Sequence, residues 1–146
     1  MAEPMPQTYQ NHTRWVTGFH FVTLPILALN LAWNLYRLIT SFSFETVVGL
    51  LLAVALALGI VFARTFALAA QDRVIRLEER LRMQTLLPDD LKPRINEFTT
   101  SQLIALRFAS DAELPALARK VLDEKIAARK PIKEAIETWR PDYQRV

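Results

Sequence analysis

The two histidines are the side chains of this sequence best suited to ligate a metal ion or a haem iron. His12 lies in a polar N-terminal stretch, and His20 lies near the start of an apolar run. Because an ionisable group at membrane depth is a candidate functional group, His20 could ligate iron together with a histidine of a second subunit. A helix would separate the two histidines by ~12 Å, too far for one helix to supply both axial ligands. The alternative is an interfacial His20 with a hydrogen-bonded neighbour, and we expect no cofactor or metal.

Paired acidic residues occur three times, but their spacing does not form a catalytic pattern. Neighbours in sequence point to different faces of a helix, so these pairs are expected to be solvated charges. They are Glu78-Glu79, Asp89-Asp90 and Asp123-Glu124. With 3 glycines and no cysteine, the chain also lacks a glycine-rich phosphate loop and a thiol nucleophile. The sequence therefore predicts a protein that is not an enzyme, and it identifies no small-molecule substrate.

Two asparagines in apolar surroundings indicate contact between helices. Asn30 and Asn34 share one helix face, and carboxamides in hydrocarbon need hydrogen-bonding partners from another helix. The second apolar run offers small residues, which let helices approach closely. One small-residue ridge comprises Gly49, Ala53 and Ala57, and another comprises Ala55, Gly59, Ala63 and Ala67. We expect one ridge to contact the first helix and the other a second protein, unless alanine is simply common in such helices.

These residues lie within two long uncharged runs. The runs extend between Arg14 and Arg37 and between Glu45 and Arg64. A helix of about 20 apolar residues crosses a ~30 Å hydrocarbon core. The sequence therefore predicts a transmembrane hairpin over residues 15–68, with spans at about 15–38 and 45–68. Pro25 predicts a kink in the first span.

The flanking charges predict the orientation of the spans. Arg14 precedes the first span, and five arginines follow the second: Arg64, Arg73, Arg76, Arg80 and Arg82. Because Lys and Arg accumulate on the cytoplasmic side, both termini are expected to lie in the cytoplasm. A cleavable signal peptide is the alternative interpretation of the first run. Its uncharged stretch, however, exceeds the usual apolar region of ~7–15 residues, and no small-residue cleavage site follows it.

The remaining chain is charged and helical. Residues 64–146 contain 16 of the 18 basic and 13 of the 15 acidic residues. No glycine or proline occurs between residues 60 and 87, so the second span is expected to continue as a cytoplasmic helical stalk, residues 69–87. A small helical head, residues 88–146, follows, and residues 1–14 form a flexible tail. The predicted fold class is all-α.

A stripe of apolar residues along the stalk predicts packing. Its members recur every three or four residues for about two heptads. They are Ala67, Ala70, Val74, Leu77 and Leu81. Two interpretations remain open: the stripe packs on the protein's own head, or it forms a self-association interface.

Capping patterns predict the helices of the head. Thr99 and Gln102 form a capping box for a helix over 100–109. Ser110 and Glu113 form a second capping box, at the start of a helix over 111–129. A proline at 115 indicates that this helix begins nearer Leu114. Pro131 suits the first turn of a last helix, whose inward residues are Ile132, Ala135, Ile136 and Trp139.

The surface of the head admits two further hypotheses. Consecutive helices at 100–109 and 111–129 resemble a helix-turn-helix, but a net charge of +3 with mixed signs is not the clustered basic face that DNA binding needs. No nucleic-acid partner is therefore expected. Contact with anionic lipid headgroups is the other hypothesis. It would use Phe98, Leu103, Ile104 and Phe108 beside Arg94 and Arg107.

Three stretches of the chain also support a family resemblance. They are residues 71–81 (QDRVIRLEERL), 103–111 (LIALRFASD) and 139–143 (WRPDY), together with residues 10–12. They resemble the signature stretches of a bacterial family of small two-span membrane proteins of unknown function. The resemblance covers most of the chain and implies a location in the bacterial cytoplasmic membrane. It implies no activity, ligand or catalytic residue.

The sequence thus predicts a membrane-anchored structural or interaction protein. Its expected partners are the lipid bilayer and either a second protein or further copies of itself, to which the helical head docks. Two alternatives remain: a membrane-tethered regulatory module with a nucleic-acid-binding head, and a cofactor-binding membrane subunit that uses His20 as a ligand.

Overall fold

A computed structural model describes residues 6–11 and 15–143, and these residues are largely helical. A π-helical turn (Gly18–Thr23) leads into α1 (Leu24–Thr40), and α2 (Phe44–Leu86) follows a short connection. A 3-10 helix (Lys92–Glu97) comes before three short helices, α3 (Thr100–Leu106), α4 (Leu114–Asp123) and α5 (Arg129–Glu134). In the described part of the chain there is no strand, only an isolated bridge between Ala109 and Trp139. The predicted all-α fold class is therefore confirmed.

The chain divides into two compact units. The apolar unit is Arg14–Leu68, and the C-terminal unit combines Ala69–Val146 with Met1–Thr13. The predicted stalk and head thus lie in one unit rather than two. Of the predicted flexible tail, Gln7 and Tyr9 are hydrogen bonded to Asp142 and Glu134 of the C-terminal unit, while residues 1–5 and 12–14 lie outside the described residues.

The first helix changes its geometry just before Pro25, where the sequence predicts a kink. Proline has no N–H, so it cannot donate to the carbonyl one turn earlier. The preceding residues form the π-helical turn, in which the Leu24 N–H donates to the Phe19 carbonyl. The Thr23 hydroxyl donates to the Gly18 carbonyl at 3.0 Å. A widened turn therefore accommodates the proline.

The start of α2 is fixed by a reciprocal cap. The Ser43 N–H donates to the Thr46 hydroxyl at 3.0 Å, and the Thr46 N–H donates to the Ser43 hydroxyl at 3.2 Å. These two bonds satisfy N–H groups that the first helical turn cannot pair internally. The cap therefore allows the chain to reverse within the short connection between α1 and α2.

Both helices of the apolar unit are long and apolar enough to cross a membrane. The stretch Gly18–Thr40 contains a window of mean hydropathy 1.3, and Phe44–Leu86 contains one of 2.7. None of the first window and 11% of the second is buried. A core helix of a globular domain would instead bury its apolar side chains. These helices thus leave a large apolar surface for another medium or molecule to cover.

The core of the C-terminal unit combines α2 with the short helices. Met83 of α2 and Leu87, directly after its end, are buried among residues of every later helix. About 60 residues make only a marginal core by themselves. The core also includes Leu91, Ile95, Phe98, Leu103, Leu106, Leu114, Val121 and Ile132.

The predicted starts of α3 and α4 are confirmed, and Pro131 lies in the first turn of α5, which begins at Arg129. The Gln102 N–H donates to the Thr99 hydroxyl at 3.2 Å, and the Thr99 N–H donates to the Gln102 side-chain oxygen at 2.8 Å. α4 begins at Leu114, with Pro115 in its first turn. The Gln102 amide also donates to the Ile126 carbonyl at 2.9 Å, so this cap links α3 to the chain beyond α4.

α4 ends at Asp123, earlier than the predicted end near residue 129. Lys125 has a φ of 53°, in the left-handed region that stops a helix. The Ile126 N–H donates to the Val121 carbonyl at 3.0 Å, and the Lys125 N–H donates to the Leu122 carbonyl at 3.2 Å. This pair of bonds is a Schellman motif, which usually has glycine at the position of Lys125.

We therefore expect Lys125→Gly to stabilise the C-terminal unit by about 0.5–1 kcal/mol, because glycine adopts positive φ without a steric penalty. Urea-dependent proteolysis of the full chain in detergent would measure the change. Lys125→Ala is the matched control, since it removes the same side chain but keeps the penalty. Equal effects of the two substitutions would contradict the explanation.

The last predicted helix is shorter than expected. α5 ends at Glu134, because the chain beyond it pairs with the segment after α3. The Ser110 N–H donates to the Thr138 carbonyl at 3.1 Å, and the Arg140 N–H donates to the Phe108 carbonyl at 2.7 Å. Of the residues predicted to face inward, Ile132 is fully buried, Ile136 and Trp139 are partly buried, and Ala135 is exposed.

Candidate functional site

The C-terminal unit contains a cluster of charged side chains that joins α2 to the segments around α3 and to the C-terminal segment. Most of these side chains are buried or half-buried, which is unusual because removing charges from water is costly unless they are paired. We call this set the ionic cluster. Its members are Glu79, Arg82, Arg107, Asp111, Arg140 and Asp142.

Arg82 is the central residue of the ionic cluster. Its guanidinium donates to the Glu79 carboxylate at 3.0 Å, to the Asp111 carboxylate at 2.6 Å and to the Ala109 carbonyl at 2.6 Å. A planar guanidinium can serve three acceptors at once, which an ammonium group cannot do in the same geometry. Arg82 therefore links α2 to the chain that follows α3.

The other pairs attach the C-terminal segment. Arg140 lies 3.3 Å from the Glu79 carboxylate, and the Arg107 guanidinium lies 3.3 Å from Asp142. The Gln7 side chain adds a pair of bonds to the same segment: it donates to the Asp142 carbonyl at 3.2 Å and accepts from the Asp142 N–H at 2.8 Å. The N-terminal and C-terminal segments are thus held together.

Burial determines the titration of Glu79. Its removal from water raises the pKa of this carboxyl above the usual 4.5, although Arg82, Arg140 and Arg107 each act to lower it. A raised pKa means that the folded state holds this proton more tightly than the unfolded chain does. The contribution of Glu79 to stability is therefore fully present below pH 4.5 and is lost as the pH rises through the raised value.

This sign can be tested with Glu79→Gln, which keeps the shape of the side chain but cannot titrate. We expect the stability of the original chain, relative to the variant, to decrease as the pH rises from about 4 to 7. Chemical denaturation of both chains at several pH values would measure the difference, and groups unaffected by the substitution cancel in it. A difference that stays constant or increases over this range would contradict the raised pKa.

A cavity of about 770 Å³ borders the ionic cluster. Residues of α2, including Gln71 and Glu78, form one wall, and Pro141 and Tyr143 form another. Arginines and carboxylates are both present in the lining, so the cavity does not present the single sign of charge that attracts a phosphate or a metal ion. A lining of mixed charge is typical of the boundary between packed segments of a chain.

The apolar unit brings together two of the predicted interface residues. The Asn34 side-chain amide donates to the Asn30 backbone carbonyl at 2.9 Å. Its side-chain oxygen points at Gly49 so closely that a Cβ there would lie 2.7 Å from it. Glycine at this position therefore lets the Asn34 carboxamide approach the backbone of α2.

The two small-residue ridges differ in their burial. In the first ridge Ala53 is buried, and Gly49 and Ala57 are partly buried. In the second ridge Ala55, Gly59 and Ala63 are exposed, and no atom lies within 4 Å of a Cβ built at Gly59. The second ridge is thus open in the single chain.

The predicted stripe of the stalk does not pack on the protein's own head. Val74, Leu77 and Leu81 are exposed, as is Ala70, while Ala67 is partly buried. The buried face of α2 is a different one, formed by Ile75, Glu79 and Met83, and Leu87 continues it just beyond the helix end. The interpretation in which the stripe contacts the head is wrong. The reason is that the ionic cluster allows a face containing a charged residue to be buried instead.

His20 lies in an aromatic environment. Its ring is edge-on to Trp15 and to Phe19, with centroids 5.0 Å apart in both pairs, and its Nδ1 lies 3.1 Å from the Val16 N–H and carbonyl groups. His12 lies outside the described residues. Among the residues that are described, no three His, Asp or Glu side chains come together as a metal site would require.

The predicted lipid-contact surface of the head is wrong. The four apolar residues named for it, Phe98, Leu103, Ile104 and Phe108, are all buried, as is Arg107. Arg94 pairs with Glu97 and Asp123, and the Glu97 and Asp123 pairs hold the pKa of its guanidinium above its usual value. These residues form the core and its ion pairs, so they are not available to headgroups.

The helix-turn-helix hypothesis also gains no support from the charges of α4. Arg119 lies 2.7 Å from Asp90, and Asp123 pairs with Arg94. Basic side chains on this surface are therefore interspersed with acidic ones, whereas a DNA-binding helix presents clustered cations to phosphates.

Comparison with known proteins identifies one family. Residues 1–146 match the family described as "Family of unknown function (DUF6526)". No curated protein and no solved structure matches the chain.

Proposed function

Since the chain belongs to the family of unknown function DUF6526, we propose its role from its own residues: it is a membrane-anchored interaction protein. A transmembrane hairpin fixes it in a bacterial cytoplasmic membrane, with both termini in the cytoplasm. The C-terminal helical unit serves there for self-association or for docking to a larger complex.

The contrast between the two units supports this proposal. In the apolar unit the large apolar side chains are exposed, for example Leu29, Ile39, Leu51 and Phe66. In the C-terminal unit the apolar residues form a closed core. Lipid is the environment in which a helix with apolar residues on all sides is stable. This contrast is the observation on which the membrane anchor depends.

Three contacts support an antiparallel hairpin within the apolar unit. Asn34 lies against Gly49, Arg37 lies 3.8 Å from Glu45, and Arg64 lies over the Phe19 ring at 5.4 Å from its centroid. The paired positions run in opposite directions along the two helices. The excess of arginine after the second span supports cytoplasmic termini.

The interaction role is supported by the surface that stays open in the single chain. The second small-residue ridge is exposed within the proposed span, where small residues let another helix approach closely. Val74, Leu77 and Leu81 of the apolar stripe are exposed beyond the span, and exposed apolar residues in water mark contact sites. The ionic cluster joins α2 to the segments that follow it, and this would hold the stripe residues Val74, Leu77 and Leu81 in a fixed geometry within the C-terminal unit.

Two measurements test the proposal. Full-length protein should remain in the membrane pellet after alkaline carbonate extraction, and a reporter fused after Val146 should be active in the cytoplasm. Crosslinking in native membranes followed by mass analysis should recover a recurrent complex. Extraction without detergent, an external reporter or recovery of the monomer alone would contradict it.

A further inference from the structure

One face of α2 in the C-terminal unit is apolar and exposed although the opposite face is in the core. Val74 is 53% exposed, Leu77 61% and Leu81 55%, whereas Ile75 is 6% exposed and Met83 is fully buried. Leaving a row of large aliphatic side chains in water forgoes the free energy that burial would supply. The exposed row is therefore typical of an interface whose binding partner is not part of the single chain.

The spacing of the row is that of a coiled coil. Ala70, Val74, Leu77 and Leu81 recur in steps of four, three and four residues, which places Val74 and Leu81 at the a position and Leu77 at the d position of a heptad. In parallel coiled coils, β-branched residues at a and leucine at d favour two strands. The central pair, Val74 and Leu77, follows this rule.

Charges beside the row select the direction of the second strand. Arg73 lies at the g position, Glu78 at the e position and Arg80 at the next g position, and Arg73 and Glu78 are exposed. In a parallel pair, g faces the following e, so Arg73 would meet the partner's Glu78 twice by symmetry. In an antiparallel pair, g faces g and arginine would meet arginine. The charges therefore fit a parallel copy and oppose an antiparallel one.

We infer that this face binds a second copy of the same chain and forms a short parallel two-stranded coiled coil. The inference rests on the proposed function, because insertion into one membrane in one orientation keeps the helices of two copies parallel. About two heptads are short for a free coiled coil, but confinement to a membrane raises the effective concentration of the second strand.

Single-cysteine variants of the full chain in native membranes test the inference, since the natural sequence has no cysteine. In a parallel pair the two copies of residue 77 face each other, so Leu77→Cys should form a disulfide dimer under mild oxidation. Arg76→Cys, which is also exposed but lies at the c position, is the matched control. We expect crosslinking of Leu77→Cys to be at least about tenfold faster than that of the control.

Charge exchange provides a second test that leaves the core untouched. Glu78→Arg should weaken self-association about tenfold, because it replaces two attractive pairs with two repulsive ones. Adding Arg73→Glu to the same chain should restore the association. Dimerisation can be followed by fluorescence energy transfer between labelled copies in vesicles of phosphatidylethanolamine and phosphatidylglycerol.

Equal crosslinking of the two cysteine variants, or no rescue by the charge exchange, would overturn the inference. The inference would also be overturned if Leu77→Cys crosslinked only to a different protein. In that case the proposed function would stand, because the chain would still be membrane-anchored and docked to a partner. Loss of the membrane location itself would instead overturn the proposed function.

Discussion

Phe108→Ala is expected to lower the free energy of unfolding of the C-terminal unit by about 3–5 kcal/mol, the usual cost of removing a buried phenylalanine from a core. Phe108 is fully buried. Its ring stacks on Trp139 with centroids 4.5 Å apart, and the Arg107 guanidinium lies 4.5 Å from its centroid. The substitution would therefore leave a cavity and also remove two ring contacts.

Urea-dependent proteolysis of the full chain in detergent would measure this loss, because cleavage within the C-terminal unit follows the population of its unfolded form. Phe42→Ala is the matched control, since that ring is 81% exposed and its removal should change stability by less than about 0.5 kcal/mol. Similar resistance of the two variants would mean that Phe108 is not part of the core.

The parts of the fold that were predicted from sequence depend on local interactions. The cap formed by Thr99 and Gln102 needs only residues three apart, and the start of α4 follows from the position of Pro115. The sequence predicted a kink at Pro25, and the structure has a π-helical turn just before this residue, which is also a local feature. Such features are visible in a sequence because both partners lie within one helical turn.

The ionic cluster was not predicted, because its partners are distant in sequence. Glu79 interrupts the apolar face that packs in the core, so periodicity favoured the uninterrupted stripe at Ala70, Val74, Leu77 and Leu81. The available indication was the four-residue spacing of Ile75, Glu79, Met83 and Leu87. The burial of a charged residue on that face becomes intelligible only once Arg82 and Arg140 are known to neutralise it.

The ends of helices were predicted less well than their beginnings. α4 ends because Lys125 adopts a positive φ, which lysine disfavours. The sequence has no glycine or asparagine there to indicate this conformation. α5 ends because residues 138–140 pair with 108–110, and this contact joins distant parts of the chain. In α5, tertiary structure therefore overrides the local helical pattern.

Arg82→Met is expected to destabilise the C-terminal unit by about 3 kcal/mol at pH 7, because removal of one partner leaves the other buried charge uncompensated. Methionine occupies a similar volume, so the lost pairs rather than a cavity would dominate the effect. Glu79 would keep its ion pair with the more exposed Arg140, and the Ala109 carbonyl would lose its 2.6 Å bond to Arg82.

The pH dependence of this defect distinguishes lost charge pairing from lost packing. Burial already raises the pKa of Glu79, and without Arg82 that pKa should rise further, so lowering the pH from 7 toward its usual pKa of 4.5 should recover part of the stability. Arg76→Met, an exposed position on the same helix, should have little effect at either pH. A loss in Arg82→Met that is independent of pH would show that the arginine stabilises the fold through packing or its bond to the Ala109 carbonyl, and not by pairing with Glu79. A recovery at low pH would identify Glu79 as the charge that Arg82 keeps buried.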